Sequence, residues 1–177
     1  MKSSEKKLIA LFVLILALSC SSNKSIIKSE QNEIVGIYRD RFTDRIELKA
    51  DSTFIHKYSF DLSSSWTIGK WRFRNDTIYL NPKLIMDTLQ IRNSANKIIK
   101  DSLVLSSDQK SNRIEFNEHI LSQITSGGQN RTKPPKKLFW KKEKLYRVKS
   151  NGNLDLRRLK QFWTRKKYKT YFRKVTE

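Results

Sequence analysis

Between residues 34 and 116 the apolar residues return at every second position, in short runs broken by turn signals. Ile46 and Leu48 flank Glu47, while Trp71 and Phe73 alternate with Lys70 and Arg72. The stretch 53–60 is dense in β-branched and aromatic residues, and 77–80, 88–91, 103–105 and 114–116 are shorter runs of the same kind. A period of two places one set of side chains on one face of a strand, whereas a helix needs a repeat of 3.6. Asp51-Ser52 and Asn75-Asp76 supply the turn chemistry between runs. Short strands with a turn every eight to twelve residues predict a mainly β, antiparallel barrel, sandwich or meander. The 177 residues suffice for one core without covalent staples. The single Cys excludes an intramolecular disulfide and a Cys-based zinc site.

The N-terminal stretch sets the compartment. Lys2, Lys6 and Lys7 precede an unbroken apolar run of 11 residues, 8–18, which ends at Ser19-Cys20 and polar Ser21-Ser22-Asn23-Lys24. Positive, apolar and small-residue regions in that order form a secretory leader. Eleven residues fall short of the roughly 20 that span a bilayer core. Ala17-Leu18-Ser19-Cys20 resembles the bacterial lipobox, which implies cleavage after residue 19 and lipid attachment at Cys20. Residues 20–33 are polar and read as a flexible tether. The lack of an acidic residue directly after Cys20 favours an outer-membrane protein that faces the periplasm.

A wider resemblance covers about residues 34–81. Gly36-x-Tyr38, Ile46-x-Leu48-x-x-Asp51-Ser52-Thr53-Phe54, Gly69-x-Trp71 and Asp76-Thr77-Ile78-Tyr79-Leu80 resemble a pattern of small lipoproteins of the Bacteroidota. Many of these are lipocalin-like, so the resemblance implies an up-and-down antiparallel barrel or meander over 34–121. It places Gly36 and Gly69 at bends or bulges and aromatics in the core. Phe54, Tyr58, Trp66, Trp71 and Phe73 favour a barrel filled by its own side chains, against the alternative of a carrier for a small apolar ligand. Asp51-Ser52, Asp76-Thr77, Asp87-Thr88 and Asp101-Ser102 resemble an O-glycosylation motif of exported Bacteroidota proteins, which marks Ser52, Thr77, Thr88 and Ser102. The same dipeptides are also how a turn enters a strand.

The formal charge of +20 is unevenly placed. Residues 131–177 hold 18 Lys and Arg against Glu143, Asp155 and Glu177. Residues 122–137, with Gly127-Gly128 and Pro134-Pro135, read as a linker or long loop. The segment 138–177 is expected to be a basic, aromatic element docked on the β domain. It has a hairpin in which Leu138-Phe139-Trp140 and Leu145-Tyr146-Arg147-Val148 bracket 141–144. The spacing predicts one short amphipathic helix next, capped by Asn153, with Leu156, Leu159, Phe162 and Trp163 as its apolar stripe. Lys141, Lys142, Arg157, Arg158, Lys160, Arg165, Lys166 and Lys167 are the candidate contacts to an anionic surface. Three readings stand: a solvated basic face, contact with anionic lipid headgroups, or nucleic-acid binding, which the export signal opposes.

Catalytic and metal-ligand motifs are missing from the sequence. His56 and His119 belong to no H-E-x-x-H and no close carboxylate pair, and no Gly-rich phosphate loop occurs. The expectation is a non-enzymatic, lipid-anchored envelope module for binding or scaffolding, with no cofactor. Its membrane partner is reached through the lipid and the basic segment.

Overall fold

The computed structural model describes residues 32–125, 127–130, 134–161 and 163–175. The leader, Cys20 and the tether up to residue 31 lie outside the described residues, as do Arg131, Lys133 and Phe162. The chain divides into two compact units, and within the first, which ends at Val35, residues 32–34 are helical. The second, Gly36–Glu177, carries the fold. No helix among the described residues is long and apolar enough to cross a membrane.

Eight strands of the second unit close into an antiparallel barrel. In chain order they are β1 (Gly36–Arg39), β2 (Asp44–Leu48), β3 (Thr53–Phe60), β4 (Ser63–Arg74), β5 (Thr77–Lys83), β9 (Lys137–Lys141), β10 (Lys144–Arg147) and β13 (Phe172–Lys174). Each pairs with the next, and the last closes on the first through Tyr38↔Lys174 and Arg39↔Arg173. This is an up-and-down barrel: the alternation predicts antiparallel strands, and the barrel is what the resemblance over 34–81 implies. Two of its turns carry φ > 0 at both central residues, Asn75-Asp76 and Lys142-Glu143. Two-residue loops of that backbone match the twist of the strands they join.

The inward rows are apolar and large. Tyr38, Phe54, Ile46, Ile78, Leu138, Leu145 and Phe172 are wholly buried, and Trp71 nearly so. Gly69 follows this inward parity in mid-β4. It pairs without interruption to Phe54 on one side and Pro82 on the other, so it marks a close backbone approach and not the expected bend or bulge.

Three features depart from the sequence expectations. First, the C-terminal hairpin is present as β9–β10 but is built into the barrel wall instead of docking on it, and β13 completes the closure. Its buried Leu138, Leu145 and Phe172 each stand between a cation and an aromatic residue that are less buried, which is the inward–outward pattern of a barrel strand. Second, the barrel does not run continuously through 34–121. Strands β6 (Met86–Arg92), β7 (Ile98–Leu105) and β8 (Arg113–Glu115) form a separate sheet in which β6 pairs β7 antiparallel and β8 parallel. A helix absent from the sequence reading, α1 (Phe116–Ile124), follows, and Glu115 N–H donates to the Glu118 carboxylate at its start. The Gln129 side-chain amide fastens both ends of this excursion: it donates to Ile85 O and accepts from Ile85 N–H, each at 2.9 Å.

Third, the C-terminal amphipathic helix is a strand. β11 (Arg158–Lys160) pairs with β12 (Lys167–Lys169) through Leu159↔Tyr168. Asn153 does not cap a helix. The chain turns at Gly152 (φ 86) and returns so that Asp155 N–H donates to Arg147 O at 2.7 Å. Leu156, Leu159 and Trp163 are 59%, 43% and 87% exposed. A stripe with no surface to bury it against lends a short helix little stability.

Asp155 pins this return. Its carboxylate, itself nearly buried, accepts from Arg157 Nε and Nη2 at 2.8 and 2.7 Å and from Arg157 N–H. The Arg157 hydrogen bonds hold its pKa down at about 2 against a desolvation that opposes them. A depressed carboxylate stabilises above its unfolded pKa, and that stability is lost as the pH falls from about 3.8 to about 2. Because Arg157 is 65% exposed, solvent screens the pair. Asp155→Asn should therefore cost about 1 kcal/mol near neutrality, and the difference should shrink as the pH falls through about 2. Urea midpoints measured across that range check it.

Candidate anion-binding groove

Register turns scattered basic residues into a row. Lys57 (β3) opposes Arg45 (β2), Arg45 opposes Arg39 (β1), and Arg39 opposes Arg173 (β13). Arg173 opposes Lys144 (β10), and Lys144 opposes Lys141 (β9). Six cations thus follow one another across six strands, outside the inward pairs Tyr38↔Ile46, Ile46↔His56 and Leu145↔Phe172. Like charges directly opposite each other destabilise a sheet. Glu47 relieves Arg45 at 3.4 Å. Among the described residues, Lys57, Arg39, Arg173, Lys144 and Lys141 are in no ion pair.

Where β1 meets β13, the β11–β12 hairpin adds a further wall and encloses a groove of about 290 Å³. Six cations line it: Arg39, Arg41, Arg158, Lys167, Lys169 and Arg173. Tyr168 and Tyr171 complete the lining. Arg41 lies over the Tyr168 ring at 5.0 Å, and Arg173 and Lys144 lie over Tyr171 at 5.4 and 5.5 Å. Arg173 Nη2 also donates to Tyr171 Oη at 2.9 Å, and this hydrogen bond, with the charges of Arg173, Lys144 and Lys169, lowers the phenol's pKa below its usual 10.0. The groove favours negative charge on any group within it.

Of the eight basic residues singled out from the sequence, the groove gathers Arg158 and Lys167. Lys160 lines a neighbouring groove, and Arg157 is tied to Asp155. Arg165 and Lys166 belong to the β11–β12 connection, while Lys141 and Lys142 lie at the β9–β10 turn. Arg39, Arg41, Lys169, Tyr168, Tyr171 and Arg173 complete the groove without having been singled out. The outward parity of Arg39 beside buried Tyr38 was a readable signal, but its pairing with Arg173 depends on barrel closure. Ser52 and Thr77 stand at hairpin turns, and Thr88 and Ser102 lie within β6 and β7.

A second polar cluster sits at one end of the barrel. His56 has its carboxylate partner after all: Nε2 is 3.0 Å from Asp44 Oδ1, across β2 and β3. An ionised carboxylate only accepts, so Nε2 carries the proton. Arg147 donates to Asp40 Oδ2 at 3.0 Å and to Asp44 Oδ2, and its guanidinium covers the Phe172 ring at 4.5 Å. Asp40 Oδ1 accepts the N–H groups of Phe42, Thr43 and Asp44. Burial pushes the Asp44 carboxyl up, but the His56 hydrogen bond and the Arg147 charge outweigh it and hold the pKa below its ordinary value. Every member is committed to a partner inside the protein. Among the described residues no three His, Cys, Asp or Glu side chains stand where they would hold a metal ion.

Compared with protein-family models, with curated proteins and with solved structures, the chain finds no match.

Proposed function

We propose that this chain is a non-enzymatic binding module of the bacterial envelope. In this reading it is anchored through Cys20 in the outer membrane, faces the periplasm, and sets its cationic seam against the phosphates of anionic lipid. The observation that carries the reading is the groove at the β1–β13 junction, where six cations converge with no carboxylate partner among the described residues. Export is supported by the leader and by the resemblance of 34–81 to Bacteroidota lipocalin-like lipoproteins. A binding role is favoured over catalysis because the His56–Asp44–Arg147 cluster is spent on internal ion pairs. The apolar-carrier alternative is weakened by the large side chains that point into the barrel.

All eight barrel strands lie within Gly36–Lys174, so a chain from residue 20 with Cys20→Ser contains the whole barrel. That protein should sediment with vesicles containing anionic phospholipid and not with neutral ones, and raised salt should release it. A basic residue near such a surface contributes about 1 kcal/mol. Replacing Arg39, Arg158 and Arg173 by Gln should therefore weaken retention on the order of tenfold or more. Equal retention on both vesicle types, indifferent to salt, would overturn the proposal.

A further inference from the structure

We infer that the cationic groove is the headgroup half of a site for one amphiphile, an alkyl phosphate whose chain lies in the apolar groove next to it. This rests on the anionic-lipid reading above and narrows it from a surface to a single bound molecule. The second groove is larger, about 500 Å³, and Phe42, Phe60 and Trp163 give it its apolar lining. Trp163 is 87% exposed and Phe60 39% exposed.

The two grooves are lined by neighbouring residues. Arg41 lines the first and the next residue, Phe42, lines the second. Arg158 and Lys160, two apart on β11 and so on one side of the strand, line one groove each. Gln161 Nε2 donates to Arg41 O at 3.3 Å and so ties a residue of the second groove to a residue of the first. Together the volumes fall in the range of small-molecule sites. The head end has four guanidinium forks, Arg39, Arg41, Arg158 and Arg173, plus two lysines. Planar forks match the several oxygens of a phosphate, and lysines add point charges. The tail end has three aromatic side chains, and only Lys160 and Asp61 bring charge, of opposite sign. A free phosphate would use the first groove alone, and an uncharged alkane the second alone.

The test uses the Cys20→Ser chain from residue 20 with dodecyl phosphate well below its micelle-forming concentration. Inorganic phosphate and dodecanol are the comparison ligands. Binding is followed by calorimetry and by tryptophan emission, since Trp163 is far more exposed than Trp66 or Trp71. Each buried methylene multiplies affinity about fourfold, so four of them against Phe60 and Trp163 give on the order of 100-fold. One dodecyl phosphate per chain is expected, bound about 100-fold more tightly than either comparison ligand. Emission should shift to the blue, and the shift should disappear in Trp163→Phe.

Phe60→Ser changes a partly exposed side chain at the end of β3. It should cost dodecyl phosphate about tenfold and leave inorganic phosphate unchanged, with the thermal midpoint confirming the fold. Arg158→Gln with Arg173→Gln should weaken both phosphates and spare dodecanol. Equal affinity for dodecyl and inorganic phosphate, or a Phe60→Ser chain that keeps the full preference, would overturn the single-molecule site. Retention on anionic vesicles would still stand in that case. Loss of vesicle retention together with dodecyl phosphate binding would overturn both.

Discussion

Gly69→Ala should lower the thermal midpoint by about 6–12 °C, the shift that roughly 3 kcal/mol produces in a protein of this size. A Cβ at residue 69 would stand 2.1 Å from Asn81 O, 2.8 Å from the Phe54 ring and 2.8 Å from Pro82 Cα. Two of those atoms belong to the backbone of the adjacent strand, so no rotamer change relieves them. Overpacking in a well-filled core costs about 1–3 kcal/mol when side chains can move, and more when they cannot. Trimming the ring with Phe54→Leu removes one contact of the three, so the double variant should recover only part of the loss. Gly69→Val adds two methyl groups in the same space and should leave little folded protein. A Gly69→Ala midpoint within 2 °C of the parent, measured by circular dichroism, would show that β4 and β5 separate far more easily than their continuous pairing suggests.

Gly69 also shows how far this sequence can be read. The pattern Gly69-Lys70-Trp71 announces a strand, because Trp71 and Phe73 alternate with charges. What the Gly does there is decided by β3 and β5, which press Phe54 and Pro82 toward it from either side. The antiparallel β class, most strand positions and the Asn75-Asp76 turn follow from local chemistry. Which strands form the barrel does not. The runs at 88–91 and 103–105 have the same local character as 77–80, yet they pair in another sheet. Barrel membership depends on closure between residues more than a hundred positions apart, and no local period encodes it. The stripe at 156, 159 and 163 misled for a related reason: spacing reports a helical face, but a face stabilises only when something covers it. The groove was half legible. Abundant cations after residue 131 were evident, but Arg39 and Arg41 lie in a region of ordinary charge, and only the β1–β13 seam unites them with Arg173.

Removing Arg147 should destabilise the protein by about 3–5 kcal/mol, because it strands two carboxylates that the fold has taken out of water. The Asp40 side chain is 3% exposed and Asp44 14%, and Arg147 is the one cation bonded to both. Arg147→Met keeps the apolar stem over Phe172 and deletes the charge, so it isolates electrostatics from packing. The pH dependence gives the sign. In the parent the Asp44 carboxyl titrates below its unfolded value, so its stabilisation is complete above the unfolded pKa and fades as acid carries the pH through the folded one. Without Arg147 the burial of Asp44, which alone raises its pKa, meets less opposition, and the folded state takes up a proton more readily. The deficit of Arg147→Met should therefore be largest near neutrality and shrink steadily as the pH falls below the ordinary carboxylate range. Asp44→Asn in the same background should restore part of the loss at neutral pH by removing one of the stranded charges. Urea midpoints for the three variants at neutral and acid pH would decide it. A loss that does not change with pH would mean that Arg147 acts through its packing on Phe172 and not through the two carboxylates.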